Sequence, residues 1–488
     1  MSIKYKVRDY FKIKGNHQLS PLLERLYSAR GISKVEQVDY SLKQLLNPND
    51  IYQLSDCARF LASHIVKQSK FLIVGDYDAD GATSTALMIK GLTQLGVQQI
   101  DFVLPDRLTE GYGLSSSLVN RILQQQADVV ITVDTGIASL DGVDTLKTAG
   151  IDVIVTDHHL AADTLPNADY IINPNAYSKA VAPLGRCLAG VGIAFYVLLA
   201  LRAELRQRSY FTQTQIEPNL ALLLDFVALG TVADLVPLDH LNRILVAQGL
   251  SLMQQNKCSD GVRALFQVSN KVLSQASHQH LGFNIAPRLN AAGRLEDMSL
   301  GVQCLLASSQ QAISLANQLD SINNQRRSLQ SDMKIDSESL LDGLLNNGEY
   351  PLGIVLSHKD WHEGVVGIVA SQIKEKTYRP VFIFAHAESG ELKGSGRSIA
   401  GIHLRDVLDQ IDKQNSALIN KFGGHAMAAG LTIDETKLEA FNQVFQQVLK
   451  QSINPQLFLQ QRITDGELLP SELNLETAEE LDKAGPWG

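Results

Sequence analysis

The feature that most constrains this chain is a succession of short β-like runs that end in acidic residues or histidines. Phe71–Gly75 leads into Asp76-Tyr77-Asp78-Ala79-Asp80-Gly81, and Asp101–Pro105 into Asp106-Arg107. Asp128–Val133 leads into Asp134-Thr135-Gly136, and Asp152–Thr156 into Asp157-His158-His159. Apolar and β-branched runs separated by stretches of helical spacing predict a parallel α/β sheet. Ligands of such sheets bind beyond the carboxyl ends of the strands. The carboxylates and imidazoles are therefore expected to converge, although tens of residues separate them. Four Asp and two His with open coordination positions suit a pair of divalent cations. Two cations about 3.5–4 Å apart serve in-line displacement at phosphorus.

Taken singly, each motif has a simpler explanation. Asp76, Asp78 and Asp80 with Gly81 could be an acidic turn or the first half of a calcium loop. A calcium loop needs a bidentate Glu at its twelfth position, and this chain has Leu87 there, after a strand rather than a helix. A lone His is ordinarily a satisfied core or surface residue. A lone Asp at an element end, such as Asp234 after the apolar Leu222–Val232, is ordinarily a cap. The set at three successive strand ends is what favours a metal centre, with Asp234 as a terminal ligand. Neighbouring histidines point in different directions, so one of His158 and His159 can bind metal while the other reaches a phosphate. Asp157 alternatively stands behind them, orienting a histidine through its ring N–H.

Three further stretches have phosphate-binding character. They are Gly394-Ser395-Gly396-Arg397-Ser398, then Gly423-Gly424-His425, and a loop-like Arg288-Leu289-Asn290-Ala291-Ala292-Gly293-Arg294. Glycines let backbone N–H groups approach an anion, and arginine binds phosphate bidentately. Nothing matches the consensus of a nucleotide-triphosphate P-loop.

At 488 residues the chain is long enough for two to four domains. The formal charge is 43 − 52 = −9, so no global basic field exists, which argues against a non-specific nucleic-acid coat protein. Cysteines 57, 187, 258 and 304 form no CxxC pair. The opening Met1–Arg8 lacks an apolar signal core. The longest uncharged apolar run, Cys187–Leu201, is shorter than the ~20 residues of a membrane span. It reads as a buried helix, and a reducing cytoplasmic location is the expectation.

Residues 1–50 read as a helical lead-in, carried by LSPLLERLY and VDYSLKQLL, and 51–275 as the catalytic domain. Residues 276–345 read as a helical linker, with Ser308–Leu345 as one or two long exposed helices. A second α/β unit follows over 346–450, starting near Gly348, with a turn at Glu388-Ser389-Gly390 before the strand-like ELKGSGRS. The remaining 451–488 is too short for a domain and reads as the start of an incomplete module.

Asp76–Gly81, Asp134–Gly136, Asp157–His159 and Ala233-Asp234 together resemble the four motifs of the DHH phosphoesterase superfamily. Gly394–Ser398 and Gly423–His425 resemble its companion DHHA1 domain, and GDYDADG, RLNAAGR and the final PWG resemble most the RecJ group of single-strand-specific 5′→3′ exonucleases. The resemblance covers about residues 18–488. It implies a parallel-sheet DHH domain joined by long helices to a smaller α/β DHHA1 domain. It further implies two Mn²⁺ or Mg²⁺ ions held by Asp78, Asp80, Asp134, His158 and Asp234, with Asp134 bridging. Asp76 stands near the place where other members use a His ligand. His159 would contact the scissile phosphate. Arg107, Ser395 and Arg397 would hold the 5′-terminal phosphate, and Arg294 and His425 the following backbone, with Arg288, Asn290 and Gly424 as further substrate-binding residues. The group continues into an oligonucleotide-binding fold, so the stop at Gly488 implies an absent module. The implied role is hydrolysis of single-stranded DNA in repair and recombination, by a monomer threading one strand through a groove between its α/β units. The implied partners are single-strand-binding protein and a helicase. The rivals are a DHH phosphodiesterase for short oligonucleotides or cyclic dinucleotides, and a non-catalytic scaffold of the same fold.

Overall fold

A computed structural model describes residues 4–15, 18–107, 109–345, 349–387, 390–452 and 454–487. The expected turn residues Glu388 and Ser389, the expected domain start at Gly348, and the ends of the chain at Met1–Ile3 and Gly488 lie outside the described residues. By their internal contacts the residues fall into two units. One holds Tyr10–Asn323 and the tail from Glu467; the other holds the residues up to Asp9 and Asn324–Gly466.

The lead-in begins with strand β1 (Lys4–Val7), which belongs to the smaller unit. The larger unit is built on a parallel sheet of β2 (Phe71–Val74), β3 (Ile100–Val103), β4 (Val129–Val133), β5 (Asp152–Thr156) and β6 (Tyr170–Ile172). Their spatial order is β3-β2-β4-β5-β6. Every residue of β2 and β4 is buried, as expected of strands covered on both faces. Helices Leu54–Val66, Ala79–Gln94 and Gly190–Gln207 share one core with residues from one face of the sheet, among them Phe71, Ile73 and Ile131. Helices Ser116–Gln124 and Leu140–Thr148 pack with Leu72, Val74 and Val130 from the other. Each fully buried aliphatic side chain contributes about 1.5–3 kcal/mol. From β2 the chain crosses to β3 on one side, and from β4 to β5 on the other. The switch point thus lies between the carboxyl ends of β2 and β4, where such sheets bind ligands.

The smaller unit carries a mixed sheet of β7 (Ile354–His358), β8 (Val381–His386), β9 (Glu391–Arg397), β10 (Lys421–Gly424) and β11 (Ala428–Asp434), ordered β10-β11-β9-β8-β7. Phe382 and Phe384 of β8 pack with Phe441 and Phe445 of helix Leu438–Ser452. Strand β1 runs parallel to β12 (Gln461–Thr464) in a separate two-stranded ladder.

Four expectations need correction. VDYSLKQLL, Val38–Leu46, forms no helix: a 3₁₀ turn Val35–Val38 ends at its first residue and a second, Leu42–Gln44, lies within it. The Asp39 carboxylate accepts the Ser41 backbone N–H at 2.9 Å, a local bond that competes with helical pairing. The lead-in also holds a strand, β1. RLNAAGR lies in helix Ala286–Leu295 rather than a loop, with Pro287 in its first turn, a position proline favours. The tail does not stand apart as a module. Helix Leu475–Lys483 is followed by Trp487, whose ring lies 5.3 Å from that of Tyr27, and the Tyr27 hydroxyl donates to the Ala484 carbonyl at 2.8 Å. The polar Ser308–Leu345 forms one helix, Ser309–Leu344. Among the described residues, no helix is long and apolar enough to cross a membrane.

Candidate metal centre

Three turns deliver the acidic groups to the carboxyl edge of the parallel sheet. After β2, Asp78 caps helix Ala79–Gln94: its Oδ1 accepts the Asp80 N–H at 2.9 Å and the Gly81 N–H at 3.0 Å. Only glycine fits at 81, because a Cβ there would sit 2.5 Å from the Asp76 carbonyl oxygen. After β4, Asp134 adopts a left-handed φ of +61°, a conformation Asp tolerates better than most residues. After β5, the Asp157 Oδ1 accepts the backbone N–H groups of His158 at 2.7 Å and His159 at 3.0 Å, and its Oδ2 that of Ile137 at 3.0 Å. Asp157 Oδ1 also lies 2.8 Å from His159 Nδ1, which fixes that ring. Asp234 enters from the end of helix Leu224–Ala233.

These groups meet. His158 Nε2 is 3.2 Å from Asp134 Oδ1 and 3.5 Å from Asp234 Oδ2. Two separate triads have donor atoms within 4.8 Å of one another: Asp76, Asp78 and Asp134, and Asp80, His158 and Asp234. A third, Asp134, His158 and His159, overlaps both. Asp76 Oδ1, Asp134 Oδ1 and His158 Nε2 are all buried without a hydrogen-bond partner. Leaving a buried polar atom unpaired costs about 1–3 kcal/mol, so three at one point mark a place built for something else.

The charges agree. Burial, and then the neighbouring carboxylates, push the Asp76, Asp80 and Asp134 carboxyls well above the usual range. Burial and Asp78 push Asp234 up to about 7. Burial and His159 lower His158 to about 4, which leaves a neutral imidazole fit for ligation. Burial pulls His159 down, but the hydrogen bond and charge of Asp157 prevail and hold it at about 9. Burial opposes the Asp157 carboxylate, yet His159 and the backbone amides keep it below its ordinary value. Carboxylates crowded beyond their own tolerance are a cluster short of positive charge, and divalent cations supply it. The donors, oxygen-rich with one imidazole, fit Mn²⁺ or Mg²⁺.

Several neighbours were invisible in the sequence. Asp80 accepts the first amides of helix Gly190–Gln207, Gly190 at 2.7 Å and Val191 at 3.1 Å. A Cβ on Gly190 would sit 2.5 Å from that of Asp134. The only hint in the sequence is the pair of glycines in Gly190-Val191-Gly192. Tyr112 places its hydroxyl 3.1 Å from His159 Nδ1. The Arg107 guanidinium carbon lies 5.0 Å above the Tyr77 ring, and Tyr77 meets Tyr112 edge-on at 6.4 Å.

The RLNAAGR residues divide. Asn290 Oδ1 accepts the Ala79 N–H at 2.8 Å, which ties its helix to the acidic turn. The Gly293 α-carbon packs against the Tyr77 carbonyl so closely that no Cβ fits. Arg294 adds charge near Tyr77. Arg288 is not available to substrate: it is buried, its Nε lies 2.8 Å from Asp320 Oδ1, and its Nη1 donates to the Asn284 carbonyl at 2.6 Å.

In the smaller unit, Ser395 and Arg397 lie on one face of β9, with Arg397 Nη1 3.2 Å from Ser395 Oγ. Gly367, at the start of helix Val366–Thr377, lies beside both: a Cβ there would be 2.9 Å from Arg397 Nη2 and from Ser395 Oγ. Gly424 pairs with Ala429 and has a φ of +138°, and the His425 amide bonds the Ala428 carbonyl at 2.8 Å. Ala428 is the register partner of Arg397. A guanidinium, a hydroxyl and a helix N-terminus thus meet at one sheet end, an arrangement suited to an anion.

Known proteins match this picture. The DHH family, N-terminal domain, matches residues 70–231, and the DHHA1 domain matches 351–451. The single-stranded-DNA-specific exonuclease RecJ of Salmonella typhimurium is 46% identical over 473 residues, 96% of this chain and 82% of that protein. The crystal structure of RecJ in complex with Mn²⁺ from Thermus thermophilus superposes with a TM-score of 0.78 at 30% identity, over 96% of this chain and 65% of that one. A second structure, exonuclease RecJ bound to manganese, gives 0.70 at 32%, over 84% of this chain and 97% of that one. The chain therefore belongs to the RecJ family of single-stranded-DNA-specific exonucleases, built on DHH and DHHA1 domains.

Proposed function

We propose that this chain hydrolyses single-stranded DNA from its 5′ end with two divalent cations at the switch point of the parallel sheet. The observation that carries the reading is the convergence of three buried, unpartnered donors, Asp76 Oδ1, Asp134 Oδ1 and His158 Nε2. Asp76, Asp78 and Asp134 would hold one cation, and Asp80, His158 and Asp234 the other, with Asp134 shared between them. Bound there, Mn²⁺ or Mg²⁺ would activate water and offset charge on the phosphate. Asp157, engaged with His159 Nδ1, keeps that ring oriented so that its other nitrogen can donate to a phosphate oxygen. Within the smaller unit, Ser395 and Arg397 supply a hydroxyl and a guanidinium that would grip a 5′-terminal phosphate; in the larger unit Arg107, over the Tyr77 ring, supplies a cationic group for the strand.

Both triads come from one chain, which supports action as a monomer. An enzyme restricted to single strands needs them supplied, which is the ground for expecting a helicase and single-strand-binding protein as partners. Four free cysteines fit a reducing cytoplasm. The test is digestion of 5′-labelled and 3′-labelled single-stranded DNA, with Mn²⁺ and with chelator. Release of the 5′ label first, abolished by chelator, is expected. Release from the 3′ label first would overturn the polarity.

A further inference from the structure

Helix Ala286–Leu295 is preceded by a widened turn, Leu281–Ile285, in which the Ala286 N–H reaches back to the Leu281 carbonyl. Such π-type turns are rare and gather at functional sites. This one presents Phe283 to solvent at 76% exposure. Its neighbour Gly282 lies against the helix that carries Asp234: a Cβ there would be 3.4 Å from Val232 Cγ1. Directly after Asp234, Leu235 is 85% exposed and holds a left-handed φ of +62°. A bulky apolar residue in that conformation is an outlier, and strain of this kind collects where function requires it. Two strongly exposed apolar side chains thus occupy the elements that border the metal centre.

Arg288 holds the turn in place. Its Nη1 donates to the Asn284 carbonyl within the turn, while Nε and Nη2 lie 2.8 and 2.7 Å from Asp320 Oδ1. The same helix is fixed to the acidic turn through Asn290 and Ala79. An aromatic ring on so firm a mount, beside a phosphodiester-cleaving centre, matches one ligand chemistry above others, the face of a nucleobase. We infer that Phe283 is a stacking platform for one base of the single strand, with Arg288 as its positioning residue.

This inference rests on the proposed nuclease reading, and its test separates the two. Binding is measured in chelator, by fluorescence anisotropy, with end-labelled single-stranded oligonucleotides. One set is intact; the other carries a single abasic residue walked along the strand. Phe283→Ala should weaken binding to intact DNA about fivefold or more, and Phe283→Trp should not. One abasic position should reproduce that loss in the wild type and add nothing in Phe283→Ala. Equal affinity of Phe283→Ala and wild type would overturn the inference. So would a loss that adds to every abasic position alike, or a change in oligomeric state on sedimentation without a change in DNA affinity. Hydrolysis by Asp134→Ala, assayed separately, bears on the metal assignment and leaves the binding comparison standing.

Discussion

At the scale of single residues, Asp134 belongs to one donor triad and lies 3.2 Å from His158 of the other. Asp134→Ala should abolish hydrolysis while leaving DNA affinity intact, since the anion-binding groups lie elsewhere. Turnover above about a tenth of wild type with Mn²⁺ would contradict a shared role. Arg397→Ala should erase any preference for a 5′-phosphate, read by comparing 5′-phosphorylated and 5′-hydroxyl strands. A preference of wild-type size in the variant would remove Arg397 from that task. The acidic ligand candidates were legible because carboxylates and imidazoles at strand ends have few uses besides chemistry. Arg288 was misread because its partner, Asp320, lies 32 positions away and carries no local signal. Tyr112 was missed for the same kind of reason: an aromatic in a loop declares nothing until it is found beside His159.

At the scale of elements, helix Ala286–Leu295 acts as a clamp on the Asp76–Asp80 turn. Gly293 makes the close approach, and Asn290 the hydrogen bond. Gly293→Ala forces a Cβ into the Tyr77 carbonyl, which is backbone and cannot step aside. Displacements of this kind cost about 1–3 kcal/mol. The variant should unfold at lower urea and bind Mn²⁺ more weakly by calorimetry. Wild-type values for both would show that the contact is not a constraint. The sequence of this helix suggested a loop because its arginines and Gly293 resemble a phosphate-binding turn, whereas Pro287 and the alanines decide the outcome. The buried strands were plain from their unbroken apolar runs. Strand β1 was not, since it pairs far along the chain and its Tyr5, Lys6 and Val7 are exposed.

At the scale of the whole molecule, the acidic centre links metal, proton and stability. In metal-free protein the carboxyls of Asp76, Asp80, Asp134 and Asp234 sit above their unfolded values, Asp234 at about 7. The folded form therefore binds more protons than the unfolded form, and stability falls as pH rises through those raised values. The chelated protein should melt at a lower temperature at pH 8 than at pH 6. Mn²⁺ at a hundred times its Kd should restore about 2.7 kcal/mol, and its binding should release protons into weak buffer. A melting temperature indifferent to both pH and Mn²⁺ would place the ions elsewhere.

The ladder of β1 and β12 has a consequence for how the chain is made. Arg8 and Asp465, joined by an ion pair at 2.8 Å, are 457 positions apart. At about 5–20 residues per second a ribosome needs roughly 23–91 s to cover that interval. The parallel sheet of the larger unit is complete in the nascent chain long before β12 emerges. The first residues must therefore wait, unpaired, until synthesis is nearly over. Arrest of translation before position 461 should yield a protease-resistant body over Tyr10–Asn323 with a cleavable leading peptide. Release of the longer chain should make that peptide resistant as well.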